Sequence, residues 1–296
     1  MMKKFLDKTN GLLNGQDLKS GSYRIIYGTM LGMMILMSLV CLLPIIWIAL
    51  SAFKTPTEFY SVPPTFLPQK MSFKQIADIW NSVNFFDYFG NTLVMIFGAL
   101  VFDIAFNGLA GYVISRVRPM GSAFLETLIF GTMLLPSLSM VPLYMTFVDM
   151  PIIHANLSGS FLPLWLQAGC NAFTIMLFRN FFNGIPMSYL EAARIDGCGN
   201  ISVFFKIVLP LSKPIIMVET IFCVINWWKN FMWPYLILGN SENEPISIML
   251  YKMSSAGMSE TENLMLIMLS IIPPMIFYAI FQKHIIGGLN MSGVKG

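Results

Sequence analysis

The chain has 296 residues, 56% of them hydrophobic and 11% charged, with a formal net charge of +3. Soluble domains carry about 25% charged residues, so the composition excludes a water-soluble globular protein and indicates an integral membrane one. The small net charge gives no reason to expect a nucleic-acid partner, and Cys41, Cys170, Cys198 and Cys223 show neither metal-ligand nor disulfide-framework spacing.

A polar arm, residues 1–24 (MMKKFLDKTNGLLNGQDLKSGSYR), comes first. It is too long for the short basic start of a signal peptide, and the apolar run after it is too long for a signal core, so that run reads as an uncleaved first span. A helix needs about 20 mostly apolar residues to cross the hydrocarbon core. Six stretches qualify: Ile25–Phe53, Phe89–Ser115, Ser122–Val148, Leu157–Phe182, Ile215–Leu238 and Asn263–Phe281. Asp103 and Asn107 fall inside the second. Pro136, Pro234 and Pro273–Pro274 interrupt the third, fifth and sixth, where neighbouring helices must re-satisfy freed carbonyls.

Lysine and arginine set the orientation. With the N-terminus in the cytoplasm, the inner segments hold Lys3, Lys4, Lys8, Lys19, Arg24, Arg116, Arg118, Arg179, Arg194, Lys206, Lys213, Lys283 and Lys295. The outer segments hold Lys54, Lys70, Lys74 and Lys252, and Lys229 lies within the fifth span. That asymmetry places both termini in the cytoplasm. The expected fold is therefore an all-α integral membrane protein of six transmembrane helices, with residues 25–296 as one domain. Lys54–Tyr88, Asp149–Asn156 and Gly239–Glu262 are the outer loops. Six helices are few for a complete transporter, so a second membrane subunit is expected. A phosphate-binding loop, an HExxH zinc motif and a GxSxG nucleophile elbow are all absent, and His154 and His284 read as interfacial polar residues.

Between the fourth and fifth spans lies Glu191–Pro214 (EAARIDGCGNISVFFKIVLPLSKP), charged and on the inner side. Ser188 stands three residues before Glu191, the spacing of a capping box, and Pro186 suits a helix start. Gly197 and Gly199 then turn the chain. Ile201–Leu209 follows as a second amphipathic stretch, with Val203, Phe204, Ile207 and Val208 on its apolar face. The predicted unit is a short helix, a glycine turn and another helix at the inner surface.

Glu191, Ala192, Ala193, Gly197, Ile207, Leu209 and Pro210 resemble, at every spacing, the EAA loop of bacterial ABC importer permeases. Other segments are similar to the MalG-type carbohydrate permeases: Phe53–Phe73 after the first span, Asn91-Thr92-Leu93, Gly111–Arg118, Pro142-Leu143-Tyr144, Arg179-Asn180-Phe181-Phe182, Trp228–Pro234 and the Gly288-Leu289…Gly293–Gly296 ending. The resemblance implies the type I importer permease fold in the bacterial cytoplasmic membrane. It also implies a second homologous permease, a dimeric ATPase that uses ATP and Mg, an extracytoplasmic solute-binding protein and a carbohydrate substrate. The chain itself would be non-catalytic and bind no cofactor. Coupling to the ATPase would run through 183–214, on Glu191, Ala192, Ala193, Asp196, Gly197, Ile207, Leu209 and Pro210.

Sugars are held by aromatic faces and hydrogen bonds, and charges inside a membrane face the bundle interior. The candidate substrate path is therefore Asp103, Asn107, Trp165, Gln167, Asn171, Glu219, Asn226, Trp228, Lys229 and Asn230. Lys229, where the family commonly has Asn, would favour an acidic sugar or pair with Asp103 or Glu219. The last outer loop is expected to reach a docked binding protein. Two competing readings remain: a proton- or sodium-driven carrier using Asp103, Glu126 and Glu219, and a membrane protein with no transport role. Neither explains the Glu191–Pro210 spacing.

Overall fold

The structure, a computed structural model, describes residues 21–71, 73–134, 140–151 and 154–291, with side chains for 25–282 of these. Pro136, His284 and the two chain ends named above lie outside the described residues or side chains. Every regular element among the described residues is helical. By contacts the chain divides into two units, one ending at Ser72 and one beginning at Phe73.

The first unit is α1 (Gly21–Ser51) and the knot that follows it. α1 is apolar from Ile25 to Ser51 with a mean hydropathy of 2.7. Thr55 caps the one-turn α2 (Pro56–Phe59) by accepting from Glu58 N at 3.3 Å. The buried Glu58 carboxylate accepts from Gln69 N at 2.8 Å. Lys54 donates to the Thr65 carbonyl and lies 4.5 Å above the Trp47 ring, so its charge is met by a dipole and a π face.

The second unit runs through α3 (Phe73–Ser82), α4 (Phe85–Val117), α5 (Ser122–Leu134), α6 (Met140–Val148), α7 (Leu162–Ala168), α8 (Ala172–Asn183), α9 (Met187–Ile195), α10 (Asn200–Leu211), α11 (Lys213–Lys229), α12 (Met232–Leu238), α13 (Ile246–Ser255) and α14 (Glu260–Met291). Three helices of the described chain are long and apolar enough to cross a membrane: Ile25–Ser51 in α1, α4, and Glu260–Gln282 in α14. Of the other three predicted spans, two are each a pair of shorter helices, α7 with α8 and α11 with α12, and α5 and α6 flank residues 135–139 of the third, which lie outside the described residues. α7 ends where Gly169 and Cys170 open the chain, and α11 ends at Asn230. α14 runs unbroken through Pro273 and Pro274.

Two apolar clusters build the core. Met95, Ala99, Leu164, Ala168, Cys223 and Trp227 belong to the first, and Tyr112, Phe178, Phe182, Leu190, Val203, Phe204 and Ile215 to the second. Polar residues fall between them: Asp103 and Asn107 on α4 and Glu219 on α11, each of which contributes to both clusters, and Asn171 and Thr174 where α7, in the first cluster, gives way to α8, in the second. A polar layer thus separates two apolar layers.

Gly111 allows α4 and α8 to pack at this depth. A Cβ there would meet Arg179 N and Phe178 Cβ at 2.9 Å and Ile175 O at 3.0 Å, so the helices approach backbone to backbone. Gly111→Ala is expected to cost about 1–3 kcal/mol through overpacking, read as a lower unfolding midpoint in detergent.

Candidate functional site

The polar layer is organised by Asn107. α4 widens into a π turn at Asp103–Asn107, a departure that is often found at functional positions. Fully buried, Asn107 donates from Nδ2 to the Asp103 carboxylate and to the Ala168 carbonyl at 2.9 Å, and accepts from Asn171 N at 3.0 Å. It therefore bridges both sides of the break between α7 and α8. Asn171 in turn caps α8 by accepting from Thr174 N at 3.2 Å. Thr174 donates to Glu219 at 3.2 Å, and the Glu219 and Asp103 side chains are both buried.

Beside this network is a cavity of about 230 Å³, lined by Asp103, Gln167, Ala168, Asn171, Thr174, Glu219, Cys223, Asn226, Trp227 and Asn230. Five residues proposed from sequence for a polar path therefore share one wall: Asp103, Gln167, Asn171, Asn226 and Asn230. Glu219, named with them, joins the same wall. Asn107 stands behind it as the bridge. Trp165 and Trp228 lie elsewhere, on a wide apolar groove with Phe97, Val101, Pro273 and Phe277. Trp165 donates from Nε1 to the Met95 carbonyl at 3.1 Å.

Lys229 is exposed and lines neither space. The ion pairs among the described residues are Arg179–Glu126 and Lys252–Glu244, and His154 Nδ1 lies 3.3 Å from the Asp149 carboxylate. Among the described residues, no ion pair joins Lys229 to Asp103 or Glu219, the pairing raised by the sequence: its side chain is exposed whereas theirs are buried. Glu126 is held by Arg179 at 2.6 Å and is not on the cavity wall.

The second constellation is Met187–Leu211. α9 begins two residues earlier than the capping-box spacing suggested: Pro186 is its N-cap, and Ser188 sits inside the first turn without a capping bond. Proline at that boundary already fixes the backbone. The helix ends in a Schellman turn, with Gly197 N bonded to Arg194 O at 3.0 Å and Cys198 N to Ala193 O at 2.9 Å. Gly197 has φ +80°, which costs a residue with a Cβ about 1–2 kcal/mol.

Leu190 and Ala193, three residues apart, bury one side of α9 in the second cluster. Ala193 thus packs on its own chain, whereas Glu191, Ala192, Arg194, Ile195, Asp196 and Gly197 are exposed. Ile195, 86% exposed, was missed by the motif comparison. Its signal was an isolated apolar residue among charges. α10 buries Val203, Phe204 and Val208 and leaves Ile207 and Leu209 partly buried against the same cluster. A π turn at Phe204–Val208 makes room for Pro210. α10 and α11 then meet at 80°.

The segment Gly239–Glu262 is folded down on the body rather than extended. Asn91 donates to the carbonyls of Glu242 and Glu244, at 2.8 and 3.1 Å. Thr92 accepts from Ile246 N at 2.9 Å, and Asn243 donates to the Gly159 carbonyl at 2.7 Å. Buried Glu244 accepts from Asn240 N and Lys252, each at 2.6 Å.

The family described as "Binding-protein-dependent transport system inner membrane component" matches residues 107–287, from Asn107 through α9 and α10 into α14. The chain belongs to that family. The chain is similar to the polygalacturonan/rhamnogalacturonan transport system permease YtcP of Bacillus subtilis, 29% identical over 282 residues and covering 90% of this chain and 96% of that protein. The arabinooligosaccharides permease AraQ of the same organism is 30% identical over 268 residues, covering 88% and 93%. Among solved structures, a bacterial ABC transporter importing the acidic polysaccharide alginate superposes with a TM-score of 0.79 at 26% identity, over 89% of this chain and 98% of that one. The all-helical architecture is thus the family's importer permease fold.

Proposed function

We propose that this chain is one of two permeases of an ATP-driven, binding-protein-dependent importer for a carbohydrate. The observation that carries this reading is α9. One side is locked in the core by Leu190 and Ala193, while Glu191, Ala192, Ile195 and Asp196 stand free on the other. A rigid helix with an exposed mixed apolar and acidic face is suited to a cleft on a soluble partner. Here that partner is a dimeric ATPase that binds ATP and Mg. Closure of the ATPase dimer would push α9 as a rigid body and move the helices around the polar layer.

In this reading α1, α4, α5 with α6, α7 with α8, α11 with α12, and α14 are the six spans. The termini and 183–214 lie in the cytoplasm, and Gly239–Glu262 faces the solute-binding protein. The cavity forms half of the pathway. Its wall of carboxyl and amide oxygens accepts from sugar hydroxyls, and the homologous second permease supplies the other half. The sugar importers among the relatives support a carbohydrate, and the break at Gly169–Asn171 gives helices around the cavity a place to bend. A carrier driven by a proton relay through Asp103, Glu126 and Glu219 fits less well, since Arg179 holds Glu126 apart from the other two.

The test is uptake of labelled oligosaccharides by proteoliposomes holding both permeases and the ATPase, with the binding protein outside. Uptake should require enclosed hydrolysable ATP; uptake driven by a proton or sodium gradient without ATP would overturn the reading. In the same assay Lys229→Asn should shift the ratio of neutral to uronate oligosaccharide by less than about twofold, the range of substitutions away from a site. A larger shift would return Lys229 to the pathway.

A further inference from the structure

We propose that Arg116 is the positioning residue that carries movement of α9 into α4, the helix that holds Asp103 and Asn107. The inference rests on the coupling role assigned above to α9. Arg116 lies near the end of α4, and its guanidinium reaches across to the chain between α8 and α9. Nε donates to the Phe182 carbonyl at 2.9 Å, Nη2 to the carbonyls of Phe182 and Ile185, and Nη1 meets Met187 Sδ at 2.9 Å. Met187 is the first residue of α9.

One rigid fork thus joins the last turn of α8, the connection and the start of α9, and no carboxylate competes for it among the described residues. Only three residues, Gly184 to Pro186, separate α8 from α9. A displacement of α9 therefore pulls directly on the carbonyls that Arg116 grips.

The far end of the lever is also shaped for movement. Arg116 sits in a π turn at Val113–Val117, and a second π turn at Asp103–Asn107 puts Asp103 on the cavity wall with Asn107 behind it. Such turns mark where a helix can change register. The nine residues from Arg116 to Asn107 span about 14 Å of helix axis. A mere cap on the end of α8 would need only a positive charge or one donor, whereas the bond pattern uses the planar fork of arginine.

The native Cys223, buried on the cavity wall, supplies the readout. The experiment uses the assembled permease pair and ATPase in nanodiscs, with Cys41, Cys170 and Cys198 replaced by alanine. The rate at which a small methanethiosulfonate reagent modifies Cys223 is compared with and without Mg-ATP and vanadate. The parent complex should show a change of about tenfold, in the range of allosteric coupling between sites. If it shows none, the coupling reading fails before Arg116 is tested. Arg116→Ala should reduce the change to within about twofold while the ATPase still co-purifies and hydrolyses ATP. Arg116→Lys, able to hold one carbonyl at a time, should fall between. An undiminished change in Arg116→Ala would overturn the proposal. If Arg116→Ala fails to assemble, Arg116→Lys decides: a reduced change with hydrolysis retained supports the lever, and a parental change reduces Arg116 to a structural cap.

Discussion

Asn107→Ala is expected to destabilise the protein by about 1–3 kcal/mol. The substitution leaves the buried Ala168 carbonyl without a partner, an orphaned group that costs about 1–3 kcal/mol, whereas the amide of Asn171, an exposed residue, loses a bond that solvent can replace. Asp103 loses its donor as well. The damage is concentrated at the break between α7 and α8, so uptake should fall even where folded protein survives. Asn107→Asp separates the contributions: it keeps an acceptor for Asn171 N, loses the donor to Ala168, and adds a carboxyl beside Asp103. It should be no more stable than the alanine variant. Unfolding midpoints in detergent, with the m-value checked for constancy, measure both. An Asn107→Ala protein within about 0.5 kcal/mol of the parent would show that the bridge carries no weight.

Ile195→Asp tests the opposite surface and should leave stability unchanged, because the side chain is 86% exposed. Its effect belongs to the interface. Loss of an apolar anchor from the centre of a contact costs about 2–4 kcal/mol, and a charge placed there adds to the loss. That corresponds to ATPase binding weaker by about 30- to 1,000-fold. Quantifying ATPase co-purified with the tagged variant, beside its unfolding midpoint, distinguishes the two. Full ATPase recovery would remove Ile195 from the docking face.

The all-helical, membrane-protein character was readable because apolar run length is a property of composition. The glycine turn at Gly197 was equally legible, since only one residue type sits readily at that φ. The breaks inside predicted spans were less so: hydropathy averages over Gly169–Asn171 and over Asn230 without registering that the helix stops. The capping-box reading of Ser188 failed because Pro186 sets the helix start by its ring geometry before a side-chain cap is needed. The grouping of Asp103, Gln167, Asn171, Asn226 and Asn230 followed from their membrane depth. Depth does not give azimuth, so it could not separate them from Trp165 and Trp228, which face the apolar groove. The meeting of Asp103 and Glu219 on one cavity wall, and the grip of Arg116 on Phe182 and Ile185, are long-range arrangements that no local pattern encodes.

The central claim is that α9 of this permease docks on an ATP-hydrolysing subunit. The most direct test is a photo-reactive amino acid at position 195, irradiated in native membranes, with the same residue at the exposed position 251 on α13 as the control. The account predicts that position 195 cross-links to a protein identified by mass spectrometry as carrying a phosphate-binding loop, and that position 251 does not. Cross-linking of that subunit to position 251, or only lipid at position 195, would contradict it.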